Sequence, residues 1–306
     1  MNAIYISSIH LALGDAVALE ALDDPEVSAE LARLGEEGLR RVRVAPLKTW
    51  QLAAEAATGS LGVLDEPPPD GVIYTSDDAG TPGQSEALSR LLTALDLQQA
   101  AAVAIGGHGC GNLGPALRVA RALMIAEGWS RVLFVTADRA GPRRRLRRES
   151  LSVLGDGAAA CVLENRLRRP SFELCGVATA TLPLVPSDGP AFERARLTLR
   201  GVRAAVDRLC EDMSVSRADF DRVVVNNYGA TARQLVTMAA GVSADRVLPG
   251  AAEDTGHCFS ADPFINICRA QTDGVMPDGS RVLVIANGAA SWSALGLRAV
   301  LRVPAA

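Results

Sequence analysis

Six short, nearly continuous apolar runs set the tightest limit on what this chain of 306 residues can fold into. They are "GVIYTS" (71–76), "AAVAIG" (101–106), "RVLFVTA" (131–137), "AAACVLE" (158–164), "RVVVNN" (222–227) and "RVLVIAN" (281–287). Runs of this length and evenness read as strands buried on both faces. Helical patterns lie between them, at 47–61, 83–95, 113–128, 194–213 and 231–242. The alternation predicts an α/β architecture with parallel strands. A stretch rich in Pro, Ser and Gly, "ATATLPLVPSDGPAFE" (178–193), is expected to join two halves, residues 1–177 and 178–306. Each half holds strand–helix–strand units, although no residue-level repeat is visible.

With 48% hydrophobic and 22% charged residues, the chain fits a soluble globular protein able to bury two cores. A net charge of −4 argues against a general polyanion binder. There is no run of roughly 18 apolar residues, so no membrane partner is expected. The start, "MNAIYISSIHLALGD", lacks the basic opening and small-residue cleavage site of an export signal and reads as a first strand. A cytoplasmic location with reduced thiols is therefore the expectation. The cysteines at 110, 161, 175, 210, 258 and 268 form no CxxC pair and match neither a disulfide framework nor a zinc site. No metal or resident cofactor is expected, and most of these cysteines read as small core residues.

Cys110 stands apart. In "GGHGCGNLGPAL" (106–117) it sits among Gly106, Gly107, Gly109 and Gly111, between a strand and a long helical pattern. Glycines so dense imply unusual backbone angles or a close approach by another segment. Pro115 suits the first turn of the helix. A thiol at a helix N-terminus is favoured as thiolate, and the Cys110 N–H is a candidate oxyanion donor. On these residues alone, a nucleophile and a buried structural cysteine both remain open.

The ordered set "GCGNLGPALRVARALMIAEGWSRVLFVTAD", "LGDGAAACVLE" and "ANGAASWSALGLR" resembles the thiolase-fold condensing enzymes, in particular β-ketoacyl-acyl-carrier-protein synthase III. The resemblance implies a five-layer α-β-α-β-α fold of two similar halves, usually a homodimer. It also implies that Cys110 takes an acyl group as a thioester from coenzyme A or an acyl carrier protein, which serve as substrates. Gly288 falls where the family places its second oxyanion amide; its alternative reading is a turn glycine.

The chain departs from the family at two places. The family's strand-end His aligns with Asn226, in "VVVNNYGA", and its loop Asn aligns with His257, in "DTGHCFSAD". The two residue types have changed places. An imidazole and an amide both donate hydrogen bonds, so the pair still suits an enolate. A neutral His257 also suits proton removal from a hydroxyl or amine attacking the acyl-Cys110. Asn227 rivals Asn226, since a one-residue register change exchanges them. Asp262 reads either as an orienter of His257 or as a helix cap before Pro263. Of the other histidines, His10 reads as structural. His108, two residues before the nucleophile, reads as part of the acyl pocket, a backbone partner or a tuner of the thiol.

The basic stretch "DRAGPRRRLRRES" (138–150) suits phosphate and the acidic surface of a carrier protein, through Arg143, Arg144, Arg145, Arg147 and Arg148. A solvated basic loop is the alternative, and nothing accompanies the patch to suggest nucleic acid. Thr81 falls about where the family carries a bulky acyl-pocket residue. The expectation is an acyltransferase that loads Cys110 and delivers the acyl group to a small-molecule hydroxyl or amine, in secondary metabolism. The rivals are a decarboxylating condensing enzyme and a non-catalytic thiolase-fold subunit.

Overall fold

The computed structural model describes residues 3–62, 66–77, 83–141, 145–148, 151–183 and 190–302. The first half begins with β1 (Tyr5–Leu13), β2 (Asp15–Ala18), α1 (Pro25–Ala29), α2 (Leu31–Glu36), β3 (Arg41–Val44) and α3 (Thr49–Gly62). It continues with β4 (Gly71–Thr75), α4 (Gln84–Ala94), β5 (Ala101–Ile105), α5 (Leu113–Ala126) and β6 (Arg131–Asp138). The short strands β7 (Leu146–Arg147) and β8 (Ser152–Val153) then lead into β9 (Gly157–Glu164). The second half comprises β10 (Ser171–Thr181), α6 (Ala191–Met213), β11 (Arg222–Val225), α7 (Ala230–Ala240), α8 (Ala252–Thr255), α9 (Asp262–Thr272), β12 (Arg281–Asn287) and β13 (Ser291–Val300).

Nine strands form one sheet in the order β11-β12-β13-β10-β1-β9-β6-β4-β5. The expected all-parallel arrangement holds only toward its two ends, where β4 pairs in parallel with β5 and β6, and β11 with β12. Across the middle, β1, β9, β10 and β13 pair antiparallel. β12 turns into β13 through three residues, too short for a parallel crossover, while β9 and β10 flank β1 and each runs antiparallel to it. The stretch expected as linker starts inside a strand, because Ala178–Thr181 belong to β10 and pair with Ser291–Ala294 of β13.

Helices occupy three layers. α3 and α4 cover one outer face through Leu52, Ala56, Ala57 and Leu91, packed against Val72, Tyr74 and Val135. α6 and α7 cover the other through Val202, Val206, Leu209 and Val236. Between the halves lie α5 and α9, whose Leu113, Leu117, Phe264 and Ile267 share one core with Ile73, Phe134, Val284 and Leu297. This is the five-layer, thiolase-like arrangement. Both central helices start at the same end of the molecule, and they bring the Cys110 turn and the His257 loop together.

Arg145 helps to fix that end. It is buried, and its guanidinium grips both oxygens of Asp156 at 3.0 Å while donating to the Leu154 carbonyl at 2.8 Å. Asp156, in the "GDG" turn, also accepts from the Ala45 and Ala140 N–H groups. The next residue back, Gly155, donates to the His257 carbonyl at 2.9 Å, so this buried ion pair supports the His257 loop directly. Arg145 is therefore an internal anchor rather than a docking residue, since its guanidinium is buried and both terminal nitrogens are held on Asp156. Arg147 and Arg148 are exposed, the latter paired with Glu26 and Glu30. Arg143 and Arg144 lie outside the described residues, as does Thr81.

Removing one partner of a buried pair strands the other charge, so Arg145→Ala should lower unfolding free energy by about 3–5 kcal/mol. Arg148→Ala, at an exposed pair, should lower it by about 1 kcal/mol or less. Urea denaturation of the two variants compares them, and similar losses would contradict the anchor role.

Candidate active site

Three segments that are far apart in sequence meet at the start of α5. The first is the single turn of 3-10 helix at Gly109–Gly111, which carries Cys110 into α5. Gly109 has φ +57°, a left-handed angle that suits glycine. At Gly111 a Cβ would stand 2.8 Å from the Ser291 carbonyl oxygen and 2.9 Å from Gly288 N. That glycine exists because the second segment, the β12–β13 turn, presses directly onto the cysteine turn. The third segment is the loop 256–261 after α8, whose Ser260 hydroxyl donates to the Cys110 carbonyl at 3.2 Å.

His257 is buried in that loop. Its backbone is clamped on both sides, donating to Val153 and accepting from Gly155. Its Nδ1 lies 2.5 Å from Oδ2 of Asp262, and its side chain is hydrogen-bonded to Cys110, which leaves Nε2 for the sulfur. Tyr228 presents its ring edge-on to the imidazole at 4.9 Å, and Phe259 stacks on it at 5.7 Å. Burial works against a charged imidazole here. The negative charges of the Cys110 sulfur and the Asp262 carboxylate, with the hydrogen bonds to both, outweigh it and push His257 up to about 10.

Asp262 decides between its two sequence readings. It is the first residue of α9 and its side chain caps nothing in that helix. Its carboxylate turns back and accepts from His257, from the Cys258 and Asn227 N–H groups at 2.7 Å each, and from the Asn227 side chain at 3.2 Å. The result is a Cys110–His257–Asp262 chain in which the carboxylate fixes the imidazole.

Asn226 and Gly288 sit at the site but are committed to the backbone. The Asn226 amide donates to the Phe259 carbonyl at 3.2 Å and accepts from the Asn287 N–H at 3.1 Å, so it braces two loops instead of offering its N–H to a substrate. Asn227 is likewise held, by Thr255, Asp262 and Ala251. The Gly288 N–H, expected as an oxyanion donor, goes to the Ser291 carbonyl at 2.8 Å because the β12–β13 hairpin closes there. The Cys110 N–H meets no backbone acceptor among the described residues. His108 bridges the cysteine turn to β13, with Nδ1 3.1 Å from the Ser291 hydroxyl and its N–H on the Asn112 side chain. His10 lies in β1 with its ring against Gly59 of α3, away from these groups.

Tyr228, Phe259 and Ser291 are absent from the sequence reading. Tyr228 follows directly on the Asn226–Asn227 pair, and its hydroxyl donates to the Asn287 carbonyl at 2.8 Å. Only that proximity could have pointed to it. The remaining cysteines are unpaired, and burial pushes the thiols of Cys161 and Cys258 up, away from the thiolate form.

The model of the 3-oxoacyl-[acyl-carrier-protein (ACP)] synthase III family matches residues 107–182, and the model of its C-terminal part matches 210–299. Together they span more than half of the chain, which belongs to this family of thiolase-fold enzymes. No curated protein matches the chain in sequence. Among solved structures, the 3-oxoacyl-(acyl carrier protein) synthase III FabH from Pseudomonas aeruginosa is similar with a TM-score of 0.80 at 19% identity, over 99% of this chain and 100% of that one. The acyltransferase ChlB3 gives 0.80 at 20% identity, over 97% and 98%. A variant of OleA from Xanthomonas campestris gives 0.77 at 14%, also over 97% and 98%. At these identities the likeness is one of fold. Among the described residues no helix is long and apolar enough to cross a membrane.

His257 should hold its proton through neutral pH. Followed by imidazole 15N shifts, it should titrate near 10, and lower in Cys110→Ala and Asp262→Asn. Since the folded value lies above the usual 6.5, the stabilisation from this proton is complete below pH 6.5 and is lost as pH rises through about 10. A wild-type midpoint at or below 6.5 would contradict this arrangement.

Proposed function

We propose that the protein is an acyltransferase that carries its acyl group on Cys110 and uses His257, held by Asp262, to move the protons. The observation that carries this reading is the fully buried His257–Asp262 contact with Cys110 on the other side of the ring. Such a chain keeps a sulfur nucleophile reactive and a base aligned.

In the first half-reaction the Cys110 sulfur attacks the carbonyl of an acyl thioester. A new C–S bond forms, the old one breaks, and the departing thiolate of coenzyme A or carrier-protein phosphopantetheine takes the proton of His257. The Cys110 N–H, with no competing backbone acceptor, faces the negative charge on the carbonyl oxygen. Acylation removes the negative sulfur that supported the imidazolium, so His257 becomes a base. In the second half-reaction an acceptor O–H or N–H attacks the thioester carbon and gives its proton to His257. The C–S bond breaks, and the sulfur regains its pairing with the imidazolium.

Two observations favour transfer to oxygen or nitrogen over decarboxylative condensation. Condensation needs two free donors on the malonyl thioester oxygen, and the Asn226 amide is already engaged at both ends. The Asp262 carboxylate also suits His257 to removing protons rather than to serving as a neutral donor. Exposed Arg147 and Arg148 remain candidates for the carrier's phosphate. A homodimer across β5 fits its position at the end of the sheet with exposed Ala101 and Ala104, since an apolar edge strand invites pairing.

Incubation with acyl thioesters should add one acyl mass to Cys110 and none to Cys110→Ala. Asp262→Asn should slow delivery to alcohols or amines by roughly a hundredfold or more. Carbon dioxide release and a ketone product with malonyl thioester would instead make the protein a condensing enzyme. No adduct from a broad donor panel would support a non-catalytic subunit.

A further inference from the structure

Phe259 is buried, yet its backbone has φ +52°. For a bulky side chain this left-handed angle is strained, and glycine or asparagine would relieve it. Surrounding bonds hold it in place. Asn226 donates to its carbonyl, and the neighbouring Ala261 N–H closes back onto Cys258. The ring lies nearly parallel to His257, at 22°, and belongs with Ala140 and Leu154 to the small apolar cluster against which Cys110 packs. Tyr228, whose ring meets the imidazole in a T-shaped contact at 4.9 Å, is itself tied to Asn287. An aromatic face within about 6 Å also favours a charged imidazole.

We infer that Phe259 is a positioning and shielding residue: its strained backbone lays a flat ring over the Cys110–His257 pair and keeps water from the acyl-cysteine. The inference rests on the reading of Cys110 as an acyl carrier. The reaction it suppresses is hydrolysis. Water attacks the thioester carbon and gives a proton to His257, the C–S bond breaks, and a free acid and the Cys110 thiolate result. A site meant for a larger hydroxyl or amine acceptor has to slow that reaction, because the same imidazole would activate either nucleophile.

The protein, loaded with acetyl- or butyryl-coenzyme A and freed of excess donor, is followed by intact mass in buffer without acceptor. In Phe259→Gly the acyl adduct should decay about tenfold faster or more than in wild type, and iodoacetamide should reach unloaded Cys110 faster. Phe259→Leu, which keeps most of the bulk, should fall between the two. If Phe259→Gly does not fold, Phe259→Asn, which also tolerates the left-handed angle, takes its place. Urea denaturation run beside the decay separates the two roles: faster decay in a variant as stable as wild type supports the shield, whereas decay that rises only with loss of stability overturns it. Equal decay in wild type and variant overturns the shield while leaving the acyl carrier intact. No adduct on wild type overturns the carrier, and the shield with it.

Discussion

One buried carboxylate organises the end of the molecule that holds Cys110. Asp262 accepts hydrogen bonds from the His257 ring, from two backbone N–H groups and from the Asn227 amide, and so ties the loop after α8, the end of β11 and the start of α9 to a single point. A fully enclosed carboxylate is tolerable only when its oxygens are satisfied in this way. Each group that satisfies it is thereby fixed. The imidazole has one orientation left, with its second nitrogen toward Cys110. Remove the carboxylate and the loop loses the reason for its shape.

The site lies where the two halves meet. α5 delivers Cys110 from the first half, and the loops before α9 and between β12 and β13 come from the second. Contact is so close that Gly111 has no room for a side chain against the β12–β13 turn. Behind the His257 loop, Asp156 and Arg145 brace the "GDG" turn that hydrogen-bonds to it. The polar groups here are spent holding loops: the Asn226 amide on the Phe259 carbonyl and the Asn287 N–H, and the Gly288 N–H on the Ser291 carbonyl.

Family membership leaves the reaction open, since the similar solved folds include a synthase and an acyltransferase. The residues present at positions 226 and 257 bear on that choice. Placing the imidazole five residues before an aspartate gives it a charged partner at the start of the next helix. Placing an amide at the strand end gives a brace between loops.

The sequence by itself determined the strands and helices with dense apolar patterning. β4, β6, β11 and β12, and the helices α3 to α7, lie within a few residues of their expected positions, because burial on both faces or along one helical stripe is written into composition and period; β5 also lies where expected but, at the sheet edge, is partly exposed and not buried on both faces. It also singled out Cys110, through glycines that only a constrained turn requires, and paired His257 with Asp262 as one of two readings. Tertiary structure decided the rest. β10 runs four residues into the Pro- and Ser-rich stretch, since strand character there comes from pairing with β13. Arg145 read as one more surface arginine until Asp156 enclosed it. Phe259 and Tyr228 gained meaning only once folding set their rings against His257. Periodic burial is a local property of the chain, whereas the partners of a buried polar or aromatic group are chosen by segments distant in sequence.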